Sequence, residues 1–191
     1  MTICVFASSS SRIDNEYAVA ATRLGELLAR ASMDVVYGGG GIGLMGKLAD
    51  AVISEGGKIT GVIPKFMKEE GWDHASVTEM IFTSDMGERK KTMFSMADAI
   101  VALPGGVGTL EELTEAMTLK QLGIYKGPII ILNTLNFYNS LIEFLEHIIS
   151  GNFLRSEHKG MWEIASTVED VMVLLGKKED WHPDPRKLAR I

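Results

Sequence analysis

The chain has 191 residues, of which 46% are hydrophobic and 23% charged, and this length and composition suit one globular domain with a sizeable core. Its formal net charge is −6. A negative chain without a basic cluster is a poor candidate for nonspecific nucleic-acid binding, because such binding needs a concentrated positive field. We therefore expect a small-molecule ligand and no nucleic-acid partner.

The apolar segments are all short. No run approaches the roughly 20 residues of a membrane-spanning helix, and no basic leader precedes the first run, Ile3 to Ala7. Cys4 is the only cysteine and lies within that run, so no intrachain disulfide is possible and we expect a buried thiol in a reducing compartment. The sequence thus predicts a cytoplasmic protein with no membrane contact.

Apolar runs alternate along the chain with segments whose apolar residues recur at helical spacing. The polar stretch Lys65 to Ser76 is predicted as a loop, and the strand after it as one near a sheet edge. The predicted strands are Ile3 to Ala7, Val35 to Tyr37, Ile59 to Ile63, Val77 to Thr83, Ala99 to Leu103, Ile129 to Leu132 and Glu163 to Ser166. The predicted helices run from about Tyr17 to Leu28, Leu44 to Ser54, Ser84 or Asp85 to Met96, Leu110 to Leu122, Phe137 to Ile149, and Val168 to Leu175.

Strands separated by helices indicate right-handed βαβ units. The predicted fold class is therefore α/β: a Rossmann-like, doubly wound, mainly parallel sheet with helices on both faces. It forms a single domain over residues 1–180, followed by a loose tail at residues 181–191. Ligands of such sheets bind beyond the carboxyl ends of the strands, where three loops fall: Ser8 to Ser11, Gly38 to Gly46, and Pro104 to Thr109.

The most informative segment is Pro104 to Glu112, P-G-G-V-G-T-L-E-E, which lies between a strand and a helix predicted to begin near Leu110. Its glycines permit positive φ and outward-facing amides, and Thr109 is placed to cap the helix. Such a turn binds anions, phosphate above all. Glu111 and Glu112, expected in the first helical turn, would repel phosphate. We therefore expect one of them to act in chemistry instead.

The second loop matches two nucleotide-binding patterns incompletely. Gly41, Gly43 and Gly46 fit G-x-G-x-x-G, but the loop follows the second strand, and the third strand ends without an acidic residue for the ribose. The P-loop pattern fails because Leu48 stands where a hydroxyl must reach magnesium. We expect neither NAD binding nor kinase chemistry. As an alternative, the glycines only permit close packing of strand and helix.

A charged segment, M-G-E-R-K, occupies residues 86–90. Its Arg89 and Lys90 are placed either to meet a phosphate or to pair with Glu112, and a solvated charge cluster is an equal alternative. Together with G-G-G-G-I-G-L-M-G at 38–46 and P-G-G-V-G-T-L-E-E at 104–112, this segment resembles the LOG family of cytokinin riboside 5′-monophosphate phosphoribohydrolases. The resemblance extends from about Val5 to Phe153 and keeps the family's motif order.

The resemblance implies that Arg89 and Glu112 are catalytic. Glu70 matches a further substrate-binding glutamate when a one-residue gap is allowed, whereas Ser8 stands where the family usually has a glycine. The substrate-binding residues implied by the resemblance are Ser9, Gly39, Gly40, Gly43, Met45, Glu70, Arg89, Lys90, Gly105, Gly106, Val107, Gly108, Thr109, Leu110, Glu111 and Thr118.

The family reaction hydrolyses the N-glycosidic bond of a purine nucleoside 5′-monophosphate. Cleavage builds positive charge on the sugar, which a carboxylate such as Glu112 stabilises while it orients or deprotonates water. Arg89 would hold Glu112 ionised or bind the substrate. The resemblance also implies a homodimer. We expect no metal or other cofactor, because the glycine-loop amides can bind the 5′-phosphate without one. Some family members carry a lysine decarboxylase label, which we reject because the sequence shows no lysine context for pyridoxal phosphate.

Two alternatives remain open: hydrolysis of plain AMP, and a nonhydrolytic nucleotide or molybdenum cofactor binding protein that shares the glycine turn. The histidines lack metal-ligand spacing and are expected at the surface or in loops: His74, His147, His158 and His182. The methionines near the motifs are expected mostly in the core: Met86, Met93, Met96 and Met117.

Overall fold

The computed structural model describes residues 1–177 and Trp181, so the rest of the predicted tail lies outside the described residues. The strands are β1 Thr2–Phe6, β2 Asp34–Tyr37, β3 Ile59–Pro64, β4 Glu79–Thr83, β5 Ala99–Ala102, β6 Ile129–Leu132 and β7 Glu163–Ala165. The α-helices are α1 Asn15–Arg30, α2 Gly43–Ser54, α3 Lys65–Glu69, α4 Met86–Met96, α5 Val107–Gln121, α6 Asn139–Ser150 and α7 Val168–Leu175. Short 3-10 helices cover Thr134–Asn136 and Ser156–Met161.

All the strand pairs are parallel, and the sheet order is β4-β3-β2-β1-β5-β6-β7. This confirms the doubly wound α/β prediction, including the edge position of β4. The chain winds outward from β1 in both directions, so the switch point lies between β1 and β5. Loops after the strands on either side of it therefore meet above the sheet's carboxyl edge.

Alternate residues of β1 enter two hydrophobic cores, because successive side chains of a strand point to opposite faces. Ile3 and Val5 join the core beneath α1, α2 and α7. Cys4 and Phe6 join the core beneath α4, α5 and α6. Cys4 is fully buried, as predicted. Burial on both faces makes the sheet a rigid base for the loops above it.

The predicted start of α5 was wrong by three residues. The helix begins at Val107, with Gly106 as an N-cap that makes no side-chain hydrogen bond. Thr109 therefore lies inside the helix, where it is buried and does not cap. Glu111 and Glu112 fall in the second turn and not in the first. The low helix propensity of Gly108 placed the sequence-based boundary too late.

Four other local predictions need correction. The predicted polar loop at Lys65 to Ser76 begins with helix α3, and the helix predicted from Phe137 begins instead at Asn139 after a 3-10 turn. His158, expected at the surface, is fully buried. Trp181, expected in a loose tail, packs against the domain, where its indole Nε1 donates to the Glu157 carbonyl at 3.2 Å.

The methionine prediction is confirmed for Met93 and Met117, which are buried, and Met96 packs against the same core. Met86 differs because it is 37% exposed and lines the cavity described below. Of the histidines, His74 and His147 lie in the described part of the chain as a loop residue and a residue in the last turn of α6. His182 lies outside it.

Candidate active site

A cavity of about 630 Å³ opens at the carboxyl edge of the sheet, between the loops that follow β1, β2, β3 and β5. Its volume is in the usual range for small-molecule sites. The sequence-predicted residues that line it are Ser9, Gly40, Met45, Arg89, Gly106, Val107, Gly108, Thr109, Glu111 and Glu112. The structure thus brings together the three loops predicted to converge and the charged segment of α4.

The other predicted site residues do not line the cavity of this single chain. Gly39 and Gly43 shape the second loop behind it, and Gly105 packs against the Thr109 side chain. Leu110 packs into the core beneath α4 to α6. Glu70 and Lys90 lie outside the cavity lining, and Thr118 is exposed farther along α5, where its hydroxyl donates to the Thr114 carbonyl at 2.9 Å. Their roles in substrate binding remain predictions.

Sequence reasoning missed much of the apolar lining. Trp72 and Met67 belong to the segment predicted as a polar loop, and Ile63 is the next-to-last residue of β3. The only sequence signal for Trp72 and Met67 was the presence of large apolar residues in a polar stretch. The lining residues that were not among the predicted site residues are Ala7, Ser8, Ser10, Gly38, Ile42, Ile63, Met67, Trp72 and Met86.

Arg89 is buried at the base of the cavity, and each nitrogen of its guanidinium group has an acceptor. Nη1 donates to Glu112 Oε1 at 2.8 Å, Nε to the Val62 carbonyl at 3.0 Å, and Nη2 to the Gly38 carbonyl at 3.1 Å. The two carbonyls lie near the carboxyl ends of β3 and β2. The planar fork of arginine suits such a divided set of acceptors, which a lysine ammonium cannot match in the same way. Arg89 is therefore fixed in place and directed at Glu112.

Gly38 allows the guanidinium group to occupy this position. A Cβ atom built on Gly38 would lie 2.0 Å from Arg89 Nη2. We expect Gly38→Ala to displace Arg89 and lower kcat/KM at least tenfold, about 1.4 kcal/mol. Steady-state assays of base release measure the effect, with Gly176→Ala as the control because the atom nearest to a Cβ there would be 3.5 Å away. Equal kcat/KM in the two variants would show that catalysis does not depend on the placement of Arg89.

Glu112 is also buried, and its carboxylate faces the cavity beside Arg89. Burial raises the pKa of the Glu112 carboxyl above its ordinary value, because removal from water disfavours the charge. The neighbouring Arg89 acts in the opposite direction and keeps the ionised form accessible. A desolvated carboxylate held by one arginine has the properties of a general base or of a group that stabilises a cation.

Glu111 also lines the cavity but differs from its neighbour because it is exposed and paired with a lysine. Lys90 contacts Glu111, and Lys90 Nζ lies 2.6 Å from Glu115 Oε2. These two carboxylates raise the pKa of Lys90. The sequence left open whether Lys90 meets a phosphate or a carboxylate, and in this chain it binds carboxylates. Lys90 also offsets the negative charge of Glu111 near the start of α5.

Three longer helices begin at the cavity, and they differ at their N-termini. The first amides of α2 are occupied, since Leu44 and Met45 donate to the Ser8 carbonyl at 2.9 and 3.3 Å. The first turn of α4 is capped by the Asp85 carboxylate. At α5 no side chain caps the helix, and its first amides have no partners within the helix. The N-terminus of α5 is therefore the best of the three anion-binding positions.

The same geometry explains why the second loop is not a dinucleotide or P-loop site. Pyrophosphate in either motif needs the N-terminal amides of the following helix, but the Ser8 carbonyl already accepts from those of α2. Lys47, the would-be P-loop lysine, is exposed and does not line the cavity. Gly43 instead serves close packing: its φ is +68°, and a Cβ atom there would lie 2.6 Å from the Ser9 backbone.

Known proteins with similar sequences show the family to which this chain belongs. A cytokinin riboside 5′-monophosphate phosphoribohydrolase of Arabidopsis thaliana is 40% identical over 187 residues, which cover 98% of this chain and 86% of the relative. The chain belongs to the LOG family. A probable enzyme of the same name from rice is 38% identical over 187 residues, covering 98% of this chain and 75% of the relative. The family resemblance predicted from the motifs is confirmed.

Solved structures share the fold of this LOG-family chain at lower sequence identity. The Moco carrier protein of Chlamydomonas reinhardtii aligns with a TM-score of 0.69 and 21% identity, covering 91% of this chain and 94% of that one. The molybdenum cofactor binding protein of Rippkaea orientalis gives 0.65 and 18%, covering 91% and 93%. At these identities the likeness shows the fold alone.

A family model described as "Possible lysine decarboxylase" matches residues 45–175. Pyridoxal phosphate, the cofactor that such a description implies, needs a lysine amine within its site. Among the described residues that line the cavity there is no lysine, and Lys90 nearby is held by Glu111 and Glu115. The residues of this LOG-family site do not fit that cofactor. The decarboxylase description therefore assigns no chemistry to the site.

Residues 1–177 and Trp181 contain no group of three or more His, Cys, Asp or Glu side chains arranged for a metal ion. None of the helices in this part of the chain combines the length and the apolar character needed to cross a bilayer. Burial raises the pKa of the Cys4 thiol well above its ordinary value, which leaves Cys4 unsuited to act as a nucleophile.

Proposed function

We propose that this protein hydrolyses the N-glycosidic bond of adenosine 5′-monophosphates, including N6-substituted ones, to the free base and ribose 5-phosphate. The observation that carries the proposal is the buried Arg89–Glu112 pair, which lies beside the uncapped N-terminus of α5. A carboxylate for the sugar and an amide cluster for the phosphate thus share one cavity. The names of the family relatives point to the same reaction.

The 5′-phosphate binds at the start of α5. Gly106, Val107 and Gly108 line the cavity there, and the free amides and dipole of a helix N-terminus favour negative charge. Glu112 follows Gly108 by four residues, about 6 Å along the helix axis, on the same side of the helix. That separation leaves the ribose between the phosphate and the Glu112 carboxylate. Glu111 does not oppose this placement because its charge is offset by Lys90.

Cleavage moves the electron pair of the C1′–N9 bond onto the base and leaves positive charge on the sugar. The Glu112 carboxylate stabilises that charge and accepts a proton from water as the water oxygen bonds to C1′. The base takes up a proton as it departs. The guanidinium charge of Arg89 favours the ionised form of Glu112. Hydrogen bonds from Arg89 to the Val62 and Gly38 carbonyls fix the guanidinium group, which in turn holds Glu112 in place. No step requires a metal ion.

The phosphate is expected to be essential to turnover. Remote binding energy at α5 contributes to the transition state, so AMP should react at least a hundredfold faster than adenosine in kcat/KM. Chromatographic assay of free adenine, with and without EDTA, measures both the preference and the metal requirement. Equal rates on adenosine, or complete loss of activity in EDTA, would contradict the proposed mechanism.

The preferred base is a separate question within the same proposal. A panel of AMP, N6-isopentenyl AMP, GMP and IMP assayed for free base compares the cytokinin-activating reaction with an AMP nucleosidase. A higher kcat/KM for the N6-substituted nucleotide supports the former, and a higher value for AMP the latter. Binding of nucleotide without release of any base would instead favour a nonhydrolytic carrier.

We further propose that the enzyme works as a cytoplasmic homodimer. Thr118 and Glu70, which the family resemblance places in the site, lie outside the cavity of the single chain, so a second subunit is a natural source of such contacts. Isolated monomers are expected to be inactive. Sedimentation with parallel assays across a dilution series tests this, and a fully active monomer would refute the shared site.

A further inference from the structure

The cavity has two unlike walls. One is the amide-rich N-terminus of α5, which follows β5. The other lies over β3 and its following segment and is apolar. Because β1 and β2 separate β5 from β3 in the sheet, about 14 Å lies between the two strands. The apolar wall and the floor beside it contain Met45, Ile63, Met67, Trp72 and Met86.

Trp72 has a fixed backbone and an accessible side chain. Its carbonyl accepts from the Gly41 amide at 3.0 Å, and its own amide donates to the Met67 carbonyl at 3.1 Å. The next residue, Asp73, forms an antiparallel bridge with Gly40. Nevertheless the Trp72 residue remains 49% exposed at the edge of the cavity. A large aromatic surface is thus held by main-chain contacts at a position that lines the cavity.

We propose that Trp72 forms the platform on which the purine base of the substrate stacks, and that it determines affinity for the base half of the nucleotide. The inference rests on the proposed function, since it takes the phosphate to lie at α5. With the phosphate there and the sugar at Glu112, the base extends toward β3 and its apolar wall. An indole face stacks well on a purine, and the stacking tolerates substitution at N6.

The test separates the contribution of the base to binding from the contribution of the sugar phosphate. Calorimetric titrations use the Glu112→Gln protein, chosen to slow turnover, with AMP and with ribose 5-phosphate as probes. Adding Trp72→Ala should weaken AMP binding roughly 5- to 150-fold, and Trp72→Phe should weaken it less. Ribose 5-phosphate, which has no base, should bind all three proteins within about twofold. Phe66→Ala is the matched control, because Phe66 is a half-exposed aromatic of the same segment that does not line the cavity.

The outcomes distinguish this inference from the proposed function. Unchanged AMP affinity in Trp72→Ala would overturn the stacking role and leave the proposed function intact. Equal weakening of AMP and ribose 5-phosphate would also overturn it, because it would indicate a displaced loop. A changed sedimentation coefficient with unchanged AMP affinity would assign Trp72 to a subunit contact instead. Failure of the parent protein to bind AMP at all would overturn both proposals.

Discussion

Glu112→Gln is expected to lower kcat for base release by about 10² to 10⁴, the range for loss of a general base, while AMP still binds. Glutamine keeps the shape of the side chain and can still accept a hydrogen bond from Arg89. It cannot accept a proton from water or carry the charge that stabilises the sugar cation. Single-turnover assays of free adenine, with an independent measurement of AMP affinity, separate the chemical step from binding.

The matched control for this substitution is Glu169→Gln. Glu169 also pairs with an arginine, Arg23 at 3.0 Å, but the pair is solvent-exposed and remote from the cavity. Its loss should leave turnover unchanged. The pH profile gives a second readout: wild-type kcat/KM should fall on the acid side as Glu112 protonates, above the ordinary glutamate range because burial raises the pKa. A folded Glu112→Gln protein with near-normal kcat would refute the catalytic assignment.

Arg89→Ala is expected to have the largest effect on stability. It leaves the Glu112 carboxylate buried without its counter-charge and removes the donors to Val62 and Gly38. Breaking a buried pair in this way costs roughly 3–5 kcal/mol. A domain of this size loses about 2–4 °C of Tm per kcal/mol, so thermal unfolding should shift by about 6–20 °C. Activity should fall as well, since Glu112 protonates more readily.

Arg23→Ala is the control for Arg89→Ala, because exposed ion pairs contribute only about 0–1 kcal/mol. Arg89→Lys should be intermediate in stability, since one ammonium cannot match the planar fork. A double-mutant cycle of Arg89→Ala with Glu112→Gln isolates the coupling energy of the pair. If Arg89→Ala unfolds at the wild-type temperature, the pair makes no net contribution to stability and the buried geometry is not maintained in solution.

Elements with strong local signals could be predicted from the sequence. Helix α7 begins and ends at Val168 and Leu175 as predicted, and its start is fixed by a capping box between Thr167 and Asp170. The alternating pattern of β4 predicted its edge position correctly. In both cases neighbouring residues carry the determining interactions, so a short window of sequence contains them.

The features that could not be predicted from the sequence depend on contacts between residues that are far apart along the chain. Arg89 is directed to Glu112 by carbonyls at residues 27 and 51 positions away, Val62 and Gly38. No local pattern encodes those acceptors, so the sequence alone could not decide whether Arg89 pairs with Glu112 or binds a phosphate. Trp72 is likewise placed by the Gly41 amide, far outside its own segment. The motifs therefore identified which residues to examine, whereas packing decided their orientation.

If this cavity breaks the bond between the base and the sugar of a nucleotide, the products of AMP must be adenine and ribose 5-phosphate in equal amounts. Purified wild-type protein and Glu112→Gln are incubated with AMP, and free adenine, ribose 5-phosphate, adenosine and inorganic phosphate are quantified over time. We predict equimolar adenine and ribose 5-phosphate from wild type, neither adenosine nor inorganic phosphate, and a rate lower by at least a hundredfold in the variant. Release of adenosine with inorganic phosphate, or full recovery of intact AMP after incubation of wild type with saturating AMP, would show that the cavity does not break this bond.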